Sequence, residues 1–215
     1  MTASDPRKTI DVEAAVNRND YRLILDIVGE GCQVLDLGCG NGHLLHLLRE
    51  EKGIKGYGVE LAEDKIIECV EHGLSVFQGN LDEGLRDFDD QSFDYVILNQ
   101  TLPVVHKPPY LVEEMLRVGK KAVITFPNFG YWGIRWKFLL GGKMPITESI
   151  PYEWYSTPNI HNLTLHDFKL FCRRFGITVL SSVFFSALQD GKIFKHAIFP
   201  NFTAAYGLYV VTKGE

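Results

Sequence analysis

Between Val34 and Leu45 the sequence reads VLDLGCGNGHLL, in which Asp36 is followed by glycines at positions 38, 40 and 42. Glycines let the backbone enter conformations closed to other residues and approach a ligand closely. The spacing departs from both common phosphate-binding patterns. A dinucleotide turn requires GxGxxG, whose third glycine would fall at His43, and a P-loop requires Gly-Lys-Ser/Thr, which is absent. A carboxylate at Asp36 suits a ligand with an ammonium group better than one with phosphates.

Two further sites extend this one. Glu60 ends the next β-rich run, about twenty residues on, where an acidic residue can accept both hydroxyls of a ribose. The run after that leads into QGNLDEGL. There an oxygen of Asn80 or Asp82 can accept from an adenine amino group, and the Leu81 N–H can reach a ring nitrogen. Cys39 inside the turn, Leu61 beside Glu60 and Asn99 at the end of a fourth run complete the candidate cofactor set, with Asp36, Gly38, Gly40 and Gly42. Together they describe a pocket for a nucleoside with a charged amino-acid tail. S-adenosylmethionine or S-adenosylhomocysteine is the expected cofactor.

To bring these residues to one edge, the chain has to alternate strands and helices. An amphipathic helix is predicted for Asp11 to Val28, then a strand at QVLDL. A helix over Asn41 to Lys52 places Leu44, Leu45, Leu47 and Leu48 at helical spacing before Gly53. Ile54 to Leu61 reads as a strand. EDKIIECVEHG reads as a helix with Ile66, Ile67 and Val70 inward. LSVFQ, FDYVIL and KAVITF supply three more strands, and YLVEEMLRV is the helix before the last of them. This pattern predicts a mostly parallel sheet with helices on both faces, whose ligands bind beyond the carboxyl ends of the strands.

From residue 127 to 163 the rhythm breaks into a Gly-, Pro- and aromatic-rich stretch, with a short helix expected over Tyr131 to Leu140. Irregular segments of this length in compact domains usually carry function. A helix resumes with Thr164 as N-cap and Asp167 in its first turn. The β-rich segments ITVLSSVFF and YGLYVVT bring the expected strands to seven. The predicted organisation is one α/β domain over residues 1–215, with an N-terminal helical segment at 1–30 and a lid-like insertion at 127–163.

Composition narrows the class. The chain is 46% hydrophobic over 215 residues with net charge −5, ample for one core. Its polar start lacks the apolar region of a signal peptide, and no apolar run approaches the length of a bilayer span. A soluble protein without membrane partners is expected. Residues 1–126 carry 13 Lys and Arg against 22 Asp and Glu, whereas residues 127–215 carry 9 against 5. That excess is too modest for a nucleic-acid footprint. Cys32, Cys39, Cys69 and Cys172 lack CxxC spacing, which reads as free thiols in a reducing cytoplasm. No histidine pair comes with the carboxylates or thiols of a metal site.

VLDLGCGNG resembles motif I of the class I S-adenosylmethionine-dependent methyltransferases, and Glu60 resembles their acidic second-strand end. More narrowly, the chain resembles the methionine biosynthesis protein MetW family. The residues that carry this are QGNLDEGL, SFDYVILNQTL, EEMLRVGKKAVITFPNFGYW, GKMP, IPYEWYSTPNIH and HDFKLFC. The similarity runs from about Tyr21 to Cys172 and resumes at YGLYVVTK. It implies a cytoplasmic bacterial protein with a Rossmann-like methyltransferase fold that accompanies homoserine O-acyltransferase and assists it. It implies no methyl acceptor. Similar sequences usually have Asp where this chain has Asn80, which predicts weaker adenine recognition.

Methyl transfer from a sulfonium rests largely on positioning, and an oxygen or nitrogen acceptor also needs a base. Many small-molecule methyltransferases carry Glu-His in the loop after the fourth strand, where this chain has Pro103 and Val104 and its nearest histidine is His106. The remaining catalytic candidates, Tyr155 and His161, lie in YEWYSTPNIH. Three readings of that segment stay open: a lid that turns Tyr155 or His161 to an acceptor, a rigid loop set by Pro151 and Pro158, and a partner surface.

Overall fold

The structure, a computed structural model, describes residues 19–187 and 193–214. The order is α1 (Asn19–Ile27), β1 (Gln33–Leu37), α2 (His43–Lys52), β2 (Lys55–Glu60), α3 (Glu63–Glu71), β3 (Ser75–Gln78), β4 (Phe93–Asn99), α4 (Pro108–Val118), β5 (Gly119–Pro127), α5 (Trp132–Gly141), α6 (Leu165–Arg174), β6 (Ile177–Ala187), β7 (Ile193–Lys195), α7 (Pro200–Thr203) and β8 (Tyr206–Lys213). Of the helix predicted for Asp11 to Val28, the part up to residue 18 lies outside the described residues, and the rest appears as α1 (Asn19–Ile27).

The strands form one sheet in the order β3-β2-β1-β4-β5-β8-β6-β7. The first five are parallel, and β8 runs antiparallel between β5 and β6. This is the expected doubly wound α/β sheet, with eight strands instead of seven. The addition is β7, whose three residues pair antiparallel with Phe185–Ala187 at the sheet edge. A strand that short carries too little alternation to stand out in sequence.

The central strands alternate between two apolar layers, as a period of two demands. Leu35, Leu37, Val96, Leu98, Ala122 and Ile124 face the layer that holds α4 and α6. Val34, Ile97 and Val123 face the layer that holds α1 and α2. Between these strands, β1 to β4 is the point where the order reverses. The loops after β1 and β4 therefore splay apart and open a crevice there.

One inward assignment is corrected. In α3, Ile67 and Val70 are exposed and Ile66 is half-buried, while Cys69 is the buried residue. The reason is steric. Cys69 Sγ packs against the glycine turn, where a Cβ on Gly42 would stand 3.0 Å from it, so a small side chain must occupy that position.

Two devices hold the loops in place. Arg117 on α4 donates to Leu85 O and Phe88 O at 2.9 Å and pairs with Glu114 and Asp90 at 2.7 Å, which fixes the segment after β3. Asn128 is fully buried at the start of the insertion. Its amide donates to Ala204 O at 2.8 Å and Asn201 O at 3.2 Å, and its oxygen accepts from Gly130 N at 2.9 Å and Leu165 N at 3.2 Å. Thr164 and Asp167 then cap α6 reciprocally. Truncating Asn128 would strand buried backbone groups, each costing about 1–3 kcal/mol. We expect Asn128→Ala to lower stability by about 2–4 kcal/mol in urea unfolding, without lowering helix content at zero denaturant.

Candidate functional site

At the carboxyl end of β1 the chain turns through positive φ at Gly38 (69°), Gly40 (56°) and Gly42 (77°). The three glycines meet different constraints. A Cβ on Gly38 would lie 2.9 Å from the Thr101 side chain, and one on Gly42 would lie 2.3 Å from Leu74 Cδ1. At Gly40 nothing lies within 4 Å, so the constraint there is the backbone conformation alone.

Glu60 locks this turn to its own loop. Its Oε2 accepts from Gly40 N at 2.9 Å, and its Oε1 accepts from Leu61 N at 2.8 Å and Ala62 N at 3.0 Å. Gly38 N and Cys39 N also donate to Val59 O, at 2.8 and 3.2 Å. From below, Cys69 Sγ donates to Gly40 O at 3.1 Å, and Cys39 Sγ lies 3.8 Å from the same oxygen. The hydrogen bond to Cys69, burial and the nearby Asp36 carboxylate together push the Cys39 thiol far above its ordinary range. Asp36 itself is buried on β1 between Gly58 and Ile97.

A cleft of about 490 Å³ opens beside the turn, within the usual size of small-molecule sites. Its walls include Gly38, Glu60, Leu61, Asn80 and Leu81. Five of the ten cofactor candidates thus converge on one space. Asn80 also works as a cap: its Oδ1 accepts from Asp82 N at 3.1 Å. Asp82 lines the cleft too, and its Oδ1 accepts from Lys107 N at 2.9 Å.

The other candidates stand behind or beside the cleft. Cys39, Gly40, Gly42 and Asp36 shape the turn. Asn99 lies at the end of β4, where its amide donates to Asp20 Oδ2 at 3.0 Å and its oxygen accepts from Thr125 Oγ1. Thr101, Val104, Val105 and His106 form the cleft wall opposite β2. Sequence reasoning reached the loop that holds them but not its role as a wall. A short 3₁₀ turn, Leu102–Val104, positions them.

A second cavity of about 490 Å³ shares Val104 with the first. Asp20, Gln100, Pro127, Glu148, Tyr152 and Asn159 are among its lining residues. Gln100 holds φ at 59° while its N–H donates to Thr125 O and Oγ1. His161 lines a different, apolar cleft with Leu102, Leu163 and Phe168. Tyr155 is exposed and packs edge-on against Trp154. The two catalytic candidates therefore do not come together with the cofactor candidates. Among the described residues no group of three or more His, Cys, Asp or Glu is placed to hold a metal ion.

The family model for methionine biosynthesis protein MetW matches residues 18–211. The chain belongs to the MetW family. A curated MetW-containing relative, the bifunctional methionine biosynthesis protein MetXA/MetW of Rhodopirellula baltica, is 36% identical over 183 residues. The match covers 81% of this chain and 29% of that relative, so the chain spans under a third of the relative's length. In fold, this MetW-family chain matches S-adenosylmethionine-dependent methyltransferases from Thermotoga maritima and Mesorhizobium loti. The TM-scores are 0.67 and 0.66, with 18% and 17% identity, over 92% and 93% of this chain and 91% and 99% of those. At such identity the likeness speaks for the fold.

The contrast within the turn can be measured. Gly42→Ala combines a positive φ with overpacking and should destabilise by about 2–4 kcal/mol. Gly40→Ala meets only the conformational term and should cost about 1–2 kcal/mol. Urea midpoints of the two variants check the order.

Proposed function

We propose that this chain binds S-adenosylmethionine or S-adenosylhomocysteine in the cleft beside Gly38, and that it works with homoserine O-acyltransferase in methionine biosynthesis. The observation that carries the first part is the convergence of Gly38, Glu60, Leu61, Asn80 and Leu81 on one cleft. The residues fit the group. Glu60 accepts three N–H donors, and a carboxylate has about four lone-pair sites. Its Oε2 therefore keeps one site for a ribose hydroxyl, and accepting the second hydroxyl would release Gly40 N–H. Asn80 and Asp82 offer oxygens to an adenine amino group. Leu61 offers an apolar face to the ring. Asp36, buried at the end of β1 behind the turn, is the carboxylate assigned to the ammonium group.

When bound, S-adenosylmethionine supplies a methyl group on a sulfonium. What the chain's own residues do around it separates two readings. The accessory reading rests on the absence of Glu-His after β4 and on the Tyr155 and His161 side chains lining no part of the cleft. It also rests on the Rhodopirellula relative, which carries MetXA and MetW in one polypeptide. The second reading, a methyltransferase acting on a small molecule, is favoured by the adjoining cavity that shares Val104. Asp20, which accepts from Asn99, and Glu148 are the carboxylates that line it.

Calorimetry tests the cofactor. Wild-type protein should bind S-adenosylhomocysteine. Glu60→Ala removes a charge-assisted acceptor worth about 1.5–3 kcal/mol, so binding should weaken at least tenfold. Gly40→Val should weaken it comparably, because a β-branched residue resists φ near 56°. No heat with the wild type contradicts the cofactor. Adding the protein to homoserine O-acyltransferase should raise its turnover. An acyltransferase fully active alone, with no complex formed, contradicts the partnership. Release of S-adenosylhomocysteine in step with acceptor consumption would favour the methyltransferase reading.

A further inference from the structure

Helix α5 has the composition of a core helix and the exposure of a surface one. Its sequence is WGIRWKFLLG, and Ile134 is its buried residue. Trp136, Phe138, Leu139 and Leu140 are 56%, 54%, 72% and 70% exposed. The apolar face continues past the helix on both sides. Lys137 Nζ donates to Ile146 O at 2.9 Å, which folds exposed Met144 and Ile146 beside α5. Arg135 lies 5.7 Å from the Phe202 ring, which brings in exposed Phe202 and Phe199 from around α7.

Large aromatic residues present about 150–250 Å² each. Half-exposed, these side chains together offer on the order of 1,000 Å², more than the few hundred Å² usual on monomers. That matches one partner's share of a standard interface, about 800 Å². Charge narrows the occupant. From Tyr131 to Thr147 the chain carries Arg135, Lys137 and Lys143 and no acidic residue, in a protein of net charge −5. A second copy seated on this face would set three cations against three, which disfavours self-pairing. An apolar surface with an acidic rim fits it.

We infer that α5, with the flanking 144–146 and 199–202 segments, is the docking face for the homoserine O-acyltransferase. The inference rests on the partnership proposed above. In the Rhodopirellula relative MetXA and MetW share one chain, which holds the two at high effective concentration. In a separate chain, affinity has to come from a surface, and α5 presents the aromatic and aliphatic anchors that such surfaces use. The insertion that carries α5 also returns to the cofactor site: Ile160 N and His161 N donate to Pro103 O at 2.8 and 2.9 Å, beside the cleft wall.

The test titrates purified acyltransferase, from the same genome, against four forms of the full chain: wild type, Leu139→Glu/Leu140→Glu, Trp136→Ala, and Val70→Glu as a control on α3. All four substituted positions are exposed, and thermal melts confirm that each variant folds. The double variant should bind at least tenfold more weakly, Trp136→Ala at least fivefold, and Val70→Glu within twofold of wild type. Equal binding by wild type and the double variant overturns the docking face and leaves the partnership standing. No binding by wild type overturns the partnership and this inference with it. In that case light scattering and sedimentation with phosphatidylglycerol vesicles show whether a second copy or a lipid surface covers α5 instead. Either result contradicts the assignment.

Discussion

The Glu60 carboxylate accepts three backbone N–H groups, from Gly40 in the neighbouring loop after β1 and from Leu61 and Ala62 in its own loop. Turns of this kind leave N–H groups that need partners, and a neutral side chain cannot satisfy three of them. One charge therefore holds the tips of two parallel strands in a single arrangement. The glycine turn owes its shape to this bond above and to the Cys69 thiol below. In the proposed function the carboxylate that sets the shape is also the ribose acceptor, which would make binding and loop geometry parts of one balance.

Much of this was legible in the sequence because it is local. The Asp-x-Gly-x-Gly-x-Gly spacing, the acidic end of β2 and the alternation of strands and helices all lie within short windows. They point to the parallel sheet, the crevice and one of its walls, with Gly38, Glu60, Leu61, Asn80 and Leu81, but not to the opposite wall of Thr101, Val104, Val105 and His106. Thr164 and Asp167 could be read as an N-terminal cap for the same reason.

What escaped depends on distant partners. The inward face of α3 was misread because hydrophobicity pointed to Ile67 and Val70, while the geometry of the glycine turn demanded a small residue and selected Cys69. The eighth strand is visible only through its pairing with β6. Asn80 looked like a ligand group and is also a cap for Asp82. Asn128 gave no signal in sequence, since its four partners lie at positions 130, 165, 201 and 204. The aromatics of the insertion read equally as lid, filler or interface. In YEWYSTPNIH all three aromatics, Tyr152, Trp154 and Tyr155, face out, which speaks against a filler.

The most direct test of the central claim is a titration of isotopically labelled protein with S-adenosylhomocysteine, followed by backbone amide resonances. The account predicts that the largest shifts fall on Gly38, Gly40, Leu61 and Leu81, with Gly40 moving as its N–H leaves Glu60, while the Trp136 indole stays in place. Shifts confined to residues outside the cleft, or no shifts at saturating ligand, would contradict it.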